Sequence, residues 1–120
     1  MLKDAVGVSK IYIACGYTDL RLGIDGLAFL IQEKFHLTPT EKGTLFLFCG
    51  RKSDRIKGLY FGGDGFLLLY KRLAPGFRYQ WPRTVAEAKQ LTREQFAELM
   101  KGFNPLQSGL IGEIHPKRIG

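Results

Sequence analysis

Six consecutive residues, Thr44-Leu-Phe-Leu-Phe-Cys49, constrain this chain more than any other feature. An almost continuous apolar run of that length predicts a β-strand covered on both faces or lying at the centre of a sheet. Another β-like run, Ile11-Tyr-Ile-Ala-Cys15, ends at the turn residues Gly16-Tyr-Thr-Asp19. Ile56 to Phe61 and Phe66 to Leu73 flank Gly62-Gly63-Asp64-Gly65, whose composition suits a tight hairpin with positive φ angles. After a further reversal at Ala74-Pro75-Gly76, Phe77-Arg-Tyr-Gln-Trp81 alternates aromatic with polar residues. It reads as the third strand of a meander, with Phe77 and Trp81 in the core, Arg78 and Gln80 on the opposite side, and Pro82 as its end.

Between the first two strands, Leu20, Ile24, Leu27, Ala28, Leu30, Ile31 and Phe35 recur at helical spacing. They predict a helix from Asp19 to about Phe35, with Thr18 or Asp19 able to cap it. Gly23 and Gly26 weaken its first half, so the start falls anywhere from Asp19 to Gly26. Thr84, with Glu87 three residues on, suits the cap of one short helical turn. The last helix has the fullest signals: Thr92 and Gln95 as a capping box, Leu91 and Phe96 as a hydrophobic staple, Gly102 as the stop, and Phe96, Leu99, Met100 and Phe103 as the inner stripe.

These elements predict an α+β fold with a mostly antiparallel sheet of about five strands and two main helices. The first helix would cross one face of the sheet and the last would pack beside it. If the first two strands are neighbours, the helical crossover makes them parallel and the sheet mixed. Residues 1–104 read as one globular domain and residues 105–120 as a flexible tail.

No run approaches the roughly 18 to 20 apolar residues that span a bilayer, and Met1 to Val8 lacks the long apolar stretch of a secretory signal. The expectation is a cytoplasmic protein with no membrane partner. Cys15 and Cys49 each end a β-like run and are expected as buried structural thiols. His36 and His115 lie 79 positions apart without short-range ligand spacing to a cysteine or to each other, which argues against a zinc site and against nucleophile–histidine catalysis. Asp19, Asp25, Asp54 and Asp64 could supply a two-metal carboxylate site, but each also has a plain role at a helix start, in an ion pair or in a turn. No catalytic residue, metal or cofactor is predicted.

The charge is uneven. The formal net charge is +7, and Arg51 to Arg83 alone holds Arg51, Lys52, Arg55, Lys57, Lys71, Arg72, Arg78 and Arg83 against Asp54 and Asp64, a net +6. A basic stretch inside a folding segment is the electrostatic footprint of a phosphate-bearing or acidic partner. Here the cations alternate with aromatic residues, Tyr60, Tyr70, Phe77, Tyr79 and Trp81, so that basic groups can hold phosphates and an exposed ring can stack on an unpaired base. These eight basic residues are the candidate nucleic-acid-binding set. Strand alternation could also divide them between the two faces of the sheet.

Several blocks resemble one family, the small accessory proteins (TnpB, the second open reading frame) of the bacterial insertion-sequence class numbered sixty-six. They are Gly16-Tyr-Thr-Asp-Leu-Arg21 with Gly23, Asp25, Gly26 and Leu27; Leu45-Phe-Leu-Phe-Cys-Gly-Arg-Lys-Ser-Asp-Arg-Ile-Lys57; Asp64-Gly-Phe-Leu-Leu-Leu-Tyr-Lys-Arg-Leu73; and Tyr79-Gln-Trp-Pro-Arg83, followed by Leu91-Thr92 and Gln95-Phe96. The chain departs from the family pattern at Leu22, where a basic residue is usual, at Phe61-Gly62, where Trp precedes an acid, and at Ala74, where Glu follows Leu. The resemblance implies a role in transposition beside a separate transposase that supplies the strand-cutting acids. Together with the basic stretch it predicts a non-catalytic accessory factor, with DNA at the insertion-sequence ends and the transposase subunit of the same element as expected partners. An adaptor that docks the transposase or a host factor without touching DNA, and a metal-dependent nuclease, are the alternatives.

Overall fold

A computed structural model describes residues 7–83 and 87–102. The expected tail, Phe103 and the proposed cap at Thr84 lie outside those residues. Five strands and two helices follow in the order β1 (Lys10–Ala14), α1 (Ile24–Glu33), β2 (Thr44–Cys49), β3 (Arg55–Phe61), β4 (Phe66–Arg72), β5 (Ala88–Leu91) and α2 (Arg93–Met100). They form one mixed sheet in the order β4-β3-β2-β1-β5, an α+β fold.

The apolar run Thr44–Cys49 is the middle strand of the five, and all six of its residues are buried. Successive side chains of a strand point to opposite faces, and β2 accordingly feeds two cores. Leu45, Leu47 and Cys49 join Ile11, Ile13, Cys15 and Ile56 on one face, while Phe46 and Phe48 join Ala14 and Leu59 on the other. β1 lies parallel to β2 with Tyr12 opposite Phe46, and the two rings stack at 5.1 Å. β3 and β4 form the expected antiparallel hairpin, closed where the Gly62 N–H donates to the Gly65 carbonyl at 3.0 Å.

α1 covers the Phe46–Phe48 face through Leu27 and Ile31. It starts at Ile24 with Gly23 as N-cap and no side-chain cap, later than Asp19. The reason is local: the Asp19 carboxylate accepts the Arg21 backbone N–H, and the Leu22 N–H donates to the Asp19 carbonyl, so Asp19 closes a separate turn. α2 begins as expected. Thr92 Oγ1 accepts the Gln95 N–H at 3.0 Å, Gln95 Oε1 accepts the Thr92 N–H at 2.8 Å, and Gly102 follows the C-cap at φ +96°. It does not lie beside α1, however. Leu99, with Phe96 and Met100, packs on the Leu45–Leu47 face, so the two helices cover opposite faces of the sheet.

Two expectations about the chain after β4 are overturned. Phe77–Trp81 is not a strand of the meander. The turn closed by the Phe77 N–H on the Ala74 carbonyl, with Gly76 at φ +93°, throws the segment away from β4, and the Tyr79 N–H is captured by the Ser53 carbonyl at 2.7 Å. Tyr79 and Trp81 then seal the face that α2 covers, whereas Phe77, expected in the core, is 65% exposed. The fifth strand is Ala88–Leu91, added antiparallel to β1 at the far edge. Cys15 and Cys49 are buried free thiols, as expected. No helix among the described residues is long and apolar enough to cross a membrane.

Candidate nucleic-acid interface

Because β1 and β2 are parallel, their C-terminal ends lie side by side, and the loops that leave them, Gly16–Gly23 and Gly50–Asp54, face each other. β3 starts and β4 ends at this same end of the sheet, with Arg55 opposite Arg72 in the register. The topology therefore gathers residues from distant parts of the chain on one rim, and most of its charged residues are cationic.

The Gly50–Asp54 loop organises the rim. Ser53 is buried with a left-handed backbone (φ +61°), a conformation that costs a non-glycine residue about 1 to 2 kcal/mol. Its carbonyl accepts the Tyr79 N–H and its hydroxyl accepts from the Arg83 guanidinium at 2.6 Å. The next carbonyl, that of Asp54, accepts the Leu73 N–H at 2.7 Å. One tight turn thus anchors both the exit of β4 and the segment that carries Arg78 and Arg83. Trp81 completes the anchorage by donating Nε1–H to the Ala14 carbonyl at 2.8 Å.

Two adjoining clefts open on this rim, of about 630 and 610 Å³, and share Lys52 and Arg55. The first runs between the two loops, past Asp19, Arg21 and Arg51 to Tyr70. The second lies between the Gly50–Asp54 loop and the turn after β4, beside Arg72, Phe77 and Arg78. Tyr17, in the first cleft, links it to the Arg83 side: the Arg51 and Arg83 guanidiniums lie over its ring, 5.5 and 4.9 Å from its centroid.

Six of the eight predicted basic residues, Arg51, Lys52, Arg55, Arg72, Arg78 and Arg83, are thus brought together. The remaining two are not. Lys57 shares the face of Arg55 and Arg72 but is drawn away to donate to the Leu22 carbonyl at 2.9 Å and lines neither cleft, while Lys71 alternates to the opposite face from Arg72. For Lys71 the split follows from strand alternation; for Lys57 it follows from the hydrogen bond to Leu22. Sequence reasoning missed Arg21 and Tyr17, which stand about thirty or more positions before the basic stretch.

Charge pairing leaves the rim strongly positive. Arg21 makes a forked pair with Asp19, whose carboxyl its hydrogen bonds hold down at about 2, and Arg55 pairs with Asp54, lowering that carboxyl as well. Arg51, Lys52, Arg72 and Arg78 make no salt bridge among the described residues. Beneath them Cys49 is pushed up to about 11 by burial, so it stays a thiol at neutral pH. Among the described residues no three His, Cys, Asp or Glu side chains gather as a metal site. What the arrangement offers chemically is a set of cations free of salt bridges among the described residues, beside exposed rings.

A family model described as IS66 Orf2 like protein matches residues 9–109, a span that includes the whole rim. Two uncharacterized proteins of Sinorhizobium fredii (strain NBRC 101917 / NGR234) are similar over 95 residues. The protein y4hO is 36% identical, covering 79% of this chain and 81% of its own. The protein y4jC is 28% identical, covering 79% and 80%. No solved structure matches the chain.

Proposed function

The chain belongs to the IS66 Orf2-like family, and on that premise we propose that it is a non-catalytic accessory protein of transposition that holds DNA through the basic rim at one end of its sheet. The observation that carries this reading is the convergence of Arg51, Lys52, Arg72, Arg78 and Arg83 from separate segments, none in a salt bridge among the described residues, around two adjoining clefts. Gathering like charges opposes folding, and a polyanion is the partner that relieves the repulsion. The non-catalytic part is supported by the carboxylates: Asp19 and Asp54 are each engaged by a neighbouring arginine, and no three His, Cys, Asp or Glu side chains gather among the described residues. Strand cutting would then fall to the element's transposase.

Phosphate neutralisation makes binding salt-dependent, with a log–log slope of about −0.9 per duplex phosphate contacted. Five contacting groups correspond to a slope of about −4.5. Titrating labelled element-end DNA across salt concentrations tests the reading. The expected result is micromolar or tighter binding at low salt that collapses as salt rises. No binding at micromolar protein in low salt, together with a transposase complex that survives nuclease treatment, would replace DNA binding with the adaptor reading.

A further inference from the structure

We infer that the DNA held on this rim is unpaired, and that Tyr70 and Phe77 are platforms on which its bases stack. The inference rests on the DNA-binding reading above and specifies its substrate.

Among the described residues five large apolar side chains are exposed: Tyr17, Phe29, Leu67, Tyr70 and Phe77. Three of them line the two clefts, Tyr17 and Tyr70 in the first and Phe77 in the second. The exposure of Phe77, at 65%, is built in by the backbone. Its N–H closes the turn on Ala74, which leaves the ring outside before the chain descends to bury Tyr79 and Trp81 two and four residues later. Tyr70, at 54%, belongs to the α1 face, two residues on from Leu68, yet lies outside the cluster that Leu68 and Phe66 join with Leu27 and Ile31 of α1.

Each of these rings is flanked by cations. Tyr70 sits in the first cleft with Arg51, Lys52 and Arg55, and Phe77 in the second with Lys52, Arg72 and Arg78. Tyr17 is already occupied by two guanidiniums and serves to hold them. In a duplex the base faces are covered by their neighbours, so a ring beside a phosphate-binding set reaches one only by unstacking a base step, at a cost of about a few kcal/mol. In a single strand every base offers a free face, and cationic grooves interleaved with aromatic rings are how proteins bind it without reading its sequence.

The test is anisotropy titration of the full chain with a labelled oligothymidylate of about 12 nucleotides, and with a duplex of the same length, at several salt concentrations. The single strand is expected to bind more tightly than the duplex. Phe77→Ala and Tyr70→Ala each weaken single-strand binding by roughly 5- to 150-fold, the range that removal of one base–aromatic stack produces, and change duplex binding by less than about twofold. The salt slope stays the same, because no charge is removed. Phe77→Trp and Tyr70→Phe retain single-strand binding, and Phe29→Ala, on α1, leaves both forms unchanged. Equal losses on both forms, or no loss on the single strand, would overturn the stacking inference while leaving DNA binding standing. Failure of wild-type protein to bind either form would overturn DNA binding and this inference with it.

Discussion

The two ends of the sheet carry different charge arrangements on the same framework, one balanced and one with a cationic surplus. At the end where β2 begins, Lys10, Lys34 and Lys42 are matched by Glu33, Glu41 and Asp64, and Lys10 pairs with Glu41 at 2.8 Å. At the end where β2 finishes, Arg21, Arg51, Lys52, Arg55, Arg72, Arg78 and Arg83 face Asp19, Asp25 and Asp54, and Lys89 pairs with Glu87 at 3.2 Å. Both ends close hairpins and turns, so the fold itself does not require excess charge. The balanced end shows what closing the sheet needs, and the surplus at the other end is what a polyanionic partner would use.

The largest expected effect comes from detaching the cover of the basic end. Trp81 is buried at 4% exposure and donates to the Ala14 carbonyl. Trp81→Ala should cost about 3 to 5 kcal/mol in urea unfolding and should weaken DNA binding as well, because the segment bearing Arg78 and Arg83 loses its anchor. If affinity survives at the full wild-type value in a folded Trp81→Ala protein, that segment is not part of the interface.

Alkaline pH should loosen the same end next. Cys49 and Tyr79 lie beneath it and burial raises both, from 9.0 to about 11 and from 10.0 to about 12. The unfolded chain therefore releases these protons first, and stability present below pH 9 is lost as pH rises through 9 to 11 for Cys49 and 10 to 12 for Tyr79. Urea midpoints measured from pH 8 upward should fall, and Cys49→Ala should remove the earlier part of the decline. A flat profile would contradict the burial of the thiol.

Smaller effects separate hold from strain at Ser53. Ser53→Ala removes the acceptor of Arg83 but keeps the left-handed backbone; a loss of about 1 kcal/mol in stability is expected, with a few-fold loss in DNA affinity. Ser53→Gly relieves the backbone and should recover the stability without the affinity. The smallest effect is expected at the balanced end: Glu41→Ala breaks an exposed pair worth about 1 kcal/mol or less and should leave DNA binding unchanged.

The sequence disclosed elements that are specified locally. The buried strand Thr44–Cys49, the Gly62–Gly65 hairpin and the Thr92–Gln95 capping box all carry their own signals within a few residues. The strand Ala88–Leu91 does not. Ala, Lys and Gln have little β preference, and only the open edge of β1 makes them a strand. Phe77–Trp81 had the right alternation for a strand, but capture of its Tyr79 N–H by Ser53, a tertiary contact, overrode the pattern.

The basic rim was half legible. Its charges stood out in the sequence, whereas the side of Lys71 and the recruitment of Tyr17 and Arg21 depend on strand register and on β1 and β2 being parallel neighbours. The block Gly16-Tyr-Thr-Asp-Leu-Arg21, which carries the family resemblance, was the available signal for those two residues.

The most direct test of the central claim compares two triple variants with the same net charge. Arg51→Ala/Lys52→Ala/Arg78→Ala empties the basic end, and Lys10→Ala/Lys34→Ala/Lys42→Ala empties the balanced end. The log–log salt slope of DNA binding should flatten in the first by about 2.7 on a duplex or about 2.1 on a single strand, some 0.9 or 0.7 for each phosphate that is no longer neutralised, and stay at the wild-type value in the second. Equal flattening in both, or none in either, would show that net charge alone, and not the basic end of the sheet, governs binding.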